Sequence, residues 1–140
     1  MIVDLSRFLK AQETTYPAAL AEIKAGKKHT HWMWFVFPQH KGLGMSDTSV
    51  FYAINSIDEA KAFLNHPVLG ARLTEITQAL MNLENKNPFS VFGSPDDMKL
   101  KSCMTLFDLA DGTFNNIFKQ VLDVYFDGTP DNLTLQLIQQ

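Results

Sequence analysis

Thr30–Gly44 reads THWMWFVFPQHKGLG, and six consecutive apolar residues, Trp32–Phe37, stand at its centre. A run this short fits either a buried strand or a turn of buried helix. A strand needs a partner, and no second run of this kind exists in the chain. The neighbouring segments all read as helices, so the run is expected to be a helix that ends near Pro38.

Outward from it, helix signals recur. Asp4 can cap a first helix with Leu5, Phe8 and Leu9 on one face. Thr14 or Thr15 can cap a second, with Pro17 in its first turn, Tyr16, Leu20 and Ile23 as its stripe and Gly26 as its stop. Ser56-Ile57-Asp58-Glu59 has the form of a capping box for a helix to about His66. Pro67 can open the next helix, in which Leu69, Leu73, Ile76, Leu80 and Leu83 keep a helical period until Asn87-Pro88. Ser94-Pro95-Asp96-Asp97 supplies a cap, a first-turn proline and acids at the positive dipole end. Thr113 can cap a helix carrying Phe114, Phe118, Val121, Leu122 and Tyr125, and Thr129-Pro130-Asp131 repeats the start signal before Leu133–Ile138. The expected fold is all-α, one domain over residues 1–140, a compact bundle of about seven or eight short helices.

Composition narrows the function classes. A chain of 140 residues can bury one adequate core. With 12 basic and 15 acidic residues the net charge is -3, which argues against DNA and broad nucleic-acid binding because these need a basic footprint. One cysteine, Cys103, excludes an internal disulfide and makes the cytoplasm the expected compartment. No segment has the length of a membrane span, and MIVDLSRFLK lacks a signal-peptide pattern, so the mature chain is expected to begin at Met1.

Local charge departs from the acidic whole. Between Glu22 and Asp47 there is no acid, while Lys24, Lys27, Lys28, Lys41, His29, His31 and His40 lie there. Such a region attracts anions, and Gly42 and Gly44 let backbone N–H groups approach a phosphate or carboxylate. The plain alternative is a solvated lysine face. Among the aromatic residues Trp32 is the candidate for stacking on a planar ligand, because it adjoins His31; core packing suits the others. His31 is a candidate acid/base or hydrogen-bonding group. His29-Thr30-His31 lacks a carboxylate or thiolate at a supporting spacing, so no metal site is expected. On the Ser94–Thr105 helix, Asp96, Lys99 and Ser102 step by three and can share a face that holds a phosphate or an acid/base pair. Ordinary surface ion pairs such as Asp97–Lys101 are the competing explanation. Cys103 lies in an apolar pattern and reads as a small buried hydrophobe. No P-loop, dinucleotide fingerprint, serine-hydrolase elbow or zinc-protease motif occurs, so no cofactor is expected.

Five blocks carry a resemblance: HWMWFVFPQ (31–39), GLGMS (42–46), YAI (52–54), HPVLGARL (66–73) and FGSPDDMKLKSCMTLF (92–107). In this order and spacing the chain resembles the domain-of-unknown-function 1810 family. The resemblance implies an all-α fold and carries no catalytic residue. Some members of that family bear the label calpastatin, but nothing in this chain looks like an extended, disordered protease inhibitor.

The resulting expectation is a small pocket protein for an anionic, phosphate-bearing and nucleotide-like small molecule. Lys28, His31, Trp32, Gln39, Lys41, Gly42 and Gly44 would form one wall, and Lys99 with Ser102 the other. If the pocket is catalytic, His31 or Asp96 is the acid/base; enzyme and binder stay open. The alternative class is an interaction or adaptor module that exposes part of Trp32–Phe37, or the Phe114–Phe126 segment, to a protein partner.

Overall fold

The structure is a computed structural model that describes residues 3–139. Among these residues it has nine helices and no strand: α1 (Ser6–Lys24), α2 (Met33–Val36), α3 (Asp47–Phe51), α4 (Ile57–Asn65), α5 (Leu69–Met81), α6 (Pro88–Phe92), α7 (Asp96–Asp111), α8 (Ile117–Tyr125) and α9 (Asn132–Ile138). The chain is therefore all-α, as its sequence predicts. The apolar run becomes the single turn of α2, which ends before Pro38, and Trp32, Met33, Val36 and Phe37 are all buried.

The predicted break in the first segment does not occur. α1 runs through Pro17, with Phe8, Gln12, Tyr16, Ala19 and Ile23 buried on one face. Proline inside a helix costs about 3 kcal/mol. Burying Ile23 and Tyr16 beyond and beside it stabilises by about 1.5–3 kcal/mol each, so the continuous stripe wins. The Tyr16 hydroxyl also donates to Glu75 at 2.5 Å, tying α1 to α5.

Helix starts follow local capping chemistry, with four departures from the sequence reading. Ser56 accepts from the Glu59 N–H at 3.1 Å as the capping box requires, but the Glu59 carboxylate turns to Arg7 at 2.7 Å. α5 begins at Leu69 rather than at Pro67, because His66 Nδ1 accepts from the N–H groups of Val68 and Leu69 at 3.1 and 3.2 Å. Ser94 does not cap α7, whose N-cap position is Pro95. Asn116, not Thr113, caps α8 by accepting from Phe118 and Lys119, both at 3.0 Å; Phe114 lies before the helix and is fully exposed. Helix α6 was not read from the sequence, although Asn87-Pro88 is its start signal: Asn87 accepts from Ser90 N–H at 3.1 Å. Asp131, the last residue of the Thr129-Pro130-Asp131 start signal, is the residue that caps α9.

α7 is the central element. Its residues Ser102–Phe107 are all buried, so it packs on several sides and loses the one-faced pattern of a surface helix. α4, α6, α8 and α9 pack around it, and α5 bridges α1, α4 and α8. A line of rings runs through the core: Phe8 to Phe63 at 5.1 Å, Phe63 to Phe107 at 5.4 Å and Phe107 to Phe118 at 5.8 Å between centroids. No described helix is long and apolar enough to cross a membrane.

Candidate functional site

A cleft of about 710 Å³ opens between the Trp34–Gly44 segment, the α3–α4 connection and the last turn of α9. Its apolar wall holds Trp34, Tyr52 and Ile57, and Leu137 and Ile138 reach it from α9. Gln39, His40, Lys41, Asn55 and Ser56 supply polar groups. Lys41 is the one lysine or arginine among the described lining residues, and no carboxylate side chain is among them.

The cleft floor is held by backbone pairing. Gln39–Lys41 and Ile54 form an isolated parallel bridge, in which Lys41 N–H donates to Ile54 and Ile54 N–H donates to Gln39, both at 2.8 Å. Arg7 clamps the same region from α1. Its guanidinium donates to the carbonyls of Phe51 and Ala53, both at 2.9 Å, and pairs with Glu59 at 2.7 Å. A planar five-donor fork can satisfy such an array where a lysine could not. On the opposite side α9 is fixed by its capping residue, since Asp131 N–H donates to the buried Thr105 hydroxyl at 2.9 Å.

Two glycines shape the loop. Gly42 has φ +97°, a left-handed conformation that favours glycine, and a Cβ there would come within 3.1 Å of Leu137. A Cβ on Gly44 would lie 2.5 Å from the Ser49 hydroxyl. Among the described residues, the N–H groups of Gly42 and Gly44 donate to no protein acceptor.

The structure brings Gln39, Lys41, Gly42 and Gly44 into this one cleft. It gathers Lys28, Asp96 and Lys99 into a second cluster behind the cleft wall. Asp96 accepts from Lys28 at 2.8 Å and from Lys99 at 3.3 Å. Lys99 stands 4.4 Å over the Trp34 ring, and Trp34 itself lines the cleft. The two sequence blocks thus meet, through Trp34.

Five placements need correction. Trp32 is fully buried, and its indole N–H donates to Glu22 at 3.0 Å, so it cannot stack on a ligand. Ser102 is buried and its hydroxyl donates to the Met98 carbonyl at 3.2 Å within its own helix, outside the cleft lining. His31 is exposed and outside the cleft. Asp96 is held between two ammonium groups rather than poised beside a ligand, and Lys28 is held with it. Of the aromatic positions in the two segments proposed for a partner, Phe114 is fully exposed, Trp34, Phe35 and Phe126 are half-buried, and Trp32, Phe37, Phe118 and Tyr125 are buried.

Glu22 explains the His29–Trp32 loop. Its carboxylate accepts from the N–H groups of His29 and Thr30 at 2.6 and 2.9 Å, from the Thr30 hydroxyl at 2.6 Å and from Trp32. Burial opposes its ionisation, but the hydrogen bonds from Thr30, His29 and Trp32 together outweigh it and hold the carboxyl at about 2 against an ordinary 4.5. The missing acid of the 23–46 interval is therefore supplied by its immediate neighbour. A lowered folded-state pKa gives stability that is complete above the unfolded value and is lost as pH falls from about 4.5 to about 2. Allowing for solvent screening, Glu22→Gln is expected to destabilise by about 1–2 kcal/mol at neutral pH. The difference from the parent protein should vanish across that acid window in urea titrations; a constant difference would refute the assignment.

Cys103 is buried, and burial pushes its thiol well above 9, which suits an inert core residue. Among the described residues no three His, Cys, Asp or Glu side chains come together as a metal cluster. Trp34, His40, Tyr52, Asn55 and Ile138 are cleft residues that the sequence reading did not select. Trp34 and His40 lay within reach, inside the segment already singled out. Ile138 had no local signal.

Comparison with known proteins agrees with this fold. The chain is similar to the conserved hypothetical protein Rv1873 from Mycobacterium tuberculosis, whose crystal structure superposes with a TM-score of 0.94 at 44% identity, over 98% of this chain and 97% of that one. No curated protein matches the chain. The model of the family described as "Protein of unknown function (DUF1810)" matches residues 2–138, and the chain belongs to that family.

Proposed function

We propose that the protein binds an anionic small molecule, phosphate-bearing and with a planar portion, in the cleft between Trp34, the Gln39–Gly44 loop and α9. The observation that carries the reading is the charge of the lining. Lys41 lines the cleft with Gly42 and Gly44, whose N–H groups have no protein acceptor among the described residues, and the described lining includes no carboxylate side chain. An anion entering there gains attraction without a like charge to oppose it. Trp34 and Tyr52 offer aromatic surface for the planar portion. The Lys28–Asp96–Lys99 cluster backs Trp34 and holds its ring in place.

A thermal-shift panel of nucleotides, sugar phosphates, dinucleotides and simple anions at low salt tests this. A compound at about 100 times its dissociation constant stabilises the native state by about 2.7 kcal/mol, a rise of several degrees. The rise is expected to disappear in Lys41→Ala. A rise that survives that substitution would place the anion elsewhere.

An adaptor reading has one specific support, at a surface outside the two segments expected from the sequence. Met45, Val50 and Phe51 are 94%, 62% and 58% exposed, and Val50 also lines the cleft. A panel without any thermal shift would favour a protein partner covering this rim.

A further inference from the structure

His40 is 6% exposed and yet lines the cleft. Its Nδ1 lies 2.8 Å from the Lys41 carbonyl oxygen. A carbonyl only accepts, so Nδ1 must carry the hydrogen, and in the neutral ring Nε2 is left with its lone pair. Nε2 has no protein partner among the described residues. Nor is it a sealed, unpartnered atom, for Thr77 Oγ1 is the one such side-chain atom among them. Nε2 therefore keeps some open surface, and the cleft is the cavity that His40 lines.

A buried imidazole whose tautomer is set by one backbone carbonyl presents a fixed acceptor. Its sequence neighbour Lys41 presents the cation, and Gly42 and Gly44 present N–H donors. An anion satisfies the last three groups but leaves Nε2 unmatched, since a fully ionised phosphate has no hydrogen to donate. A ligand that satisfies all four carries an O–H or N–H close to its anionic group. Resting on the cleft reading above, we propose that His40 Nε2 is a recognition group that accepts a hydrogen bond from a hydroxylated phosphate ester, the class of sugar phosphates and nucleoside phosphates.

The test uses the full chain and two probes, ribose 5-phosphate and methyl phosphate, followed by calorimetry. At about pH 8 both esters are dianions with no hydrogen on the phosphate, and only the first has hydroxyl groups. The parent protein is expected to prefer ribose 5-phosphate by about tenfold, the worth of one well-made hydrogen bond to a buried group. His40→Asn keeps a side-chain N–H for the Lys41 carbonyl and is expected to bring the ratio of ribose 5-phosphate to methyl phosphate affinity from about ten down to about one. Lys41→Ala is expected to weaken both probes. Ribose 5-phosphate preference retained in His40→Asn, with both probes lost in Lys41→Ala, would overturn the His40 assignment and leave the cleft reading standing. Failure of both probes to bind the parent protein would overturn the ligand class and the cleft reading together. Long-range proton–nitrogen spectra of the ligand-free imidazole give an independent check. The Nδ1–H tautomer is expected, and an Nε2–H tautomer would overturn the inference whatever the probes do.

Discussion

Trp32→Ala is expected to destabilise the protein by about 3–5 kcal/mol, the range for removing a large aromatic side chain from a packed core. Trp32 is fully buried, packs beside Phe37 at 6.1 Å between centroids, and has the Lys28 ammonium 5.2 Å above its ring. Its indole N–H is also one of the donors that hold the Glu22 carboxylate. Removing the ring therefore opens a cavity and loosens the end of α1 from the loop that precedes α2. Trp32→Phe should cost less, about 1–3 kcal/mol, because it fills much of the volume and loses one hydrogen bond to a charged group. Trp34→Ala offers the contrast. That ring is half-buried and lines the cleft, so its loss should affect ligand affinity more than the urea midpoint. A Trp32→Ala protein within about 1 kcal/mol of the parent would contradict a core role for this ring.

Gly70→Ala is the second large effect. Alanine is ordinarily the better helix residue by about 1 kcal/mol. Here the new Cβ would lie 1.9 Å from the carbonyl oxygen of Leu64 and 2.7 Å from its carbonyl carbon. The obstruction is the backbone of α4, which cannot rotate away as a side-chain tip can. The corner between α4 and α5 is also held by His66, whose Nδ1 caps α5. Relief requires α4 and α5 to separate, and α4 also packs on α7 in the core. A loss of about 3 kcal/mol or more is expected, at the upper end of overpacking effects. Denaturant unfolding of Gly70→Ala beside Ala71→Gly distinguishes the causes. Ala71 is exposed in the same helix, so its change should cost only the propensity difference of about 1 kcal/mol. Equal losses in the two variants would remove the steric account.

Helices were legible wherever one face is apolar and a cap lies nearby. Leu69, Leu73, Ile76 and Leu80 occupy one face of α5, and Ser56 caps α4 where local rules put it. Errors arose where a tertiary contact redirected a local signal. Pro17 signals a helix start because proline favours first turns, but the stripe beneath it packs on α5 through Tyr16. Thr113 was read as a cap because it has a hydroxyl, but Asn116 reaches the free N–H groups while also donating to Asp108 at 2.7 Å.

The candidate site divides in the same way. Gln39, Lys41, Gly42 and Gly44 stand out in the sequence because a loop with one cation and two glycines is a local pattern, and they line the same cleft. Trp32 and Trp34 are two residues apart, and nothing local says which faces the core. Glu22 and Lys99 decide it, the first by accepting the Trp32 indole N–H and the second by standing over Trp34. His40 is similar: its residue type is visible in the sequence, but its burial, its contact with the Lys41 carbonyl and its place in the cleft lining come from the fold. By itself the sequence determined an all-α fold, most of its helix positions and the segment that borders the cleft, because propensity, capping and apolar period act over a few residues. Only the tertiary structure decided which rings are core, which lysines are already paired and which nitrogen of His40 faces the Lys41 carbonyl. Burial and electrostatic partnership are properties of groups brought together from distant parts of the chain, as α9 reaches the cleft from the far end of the sequence.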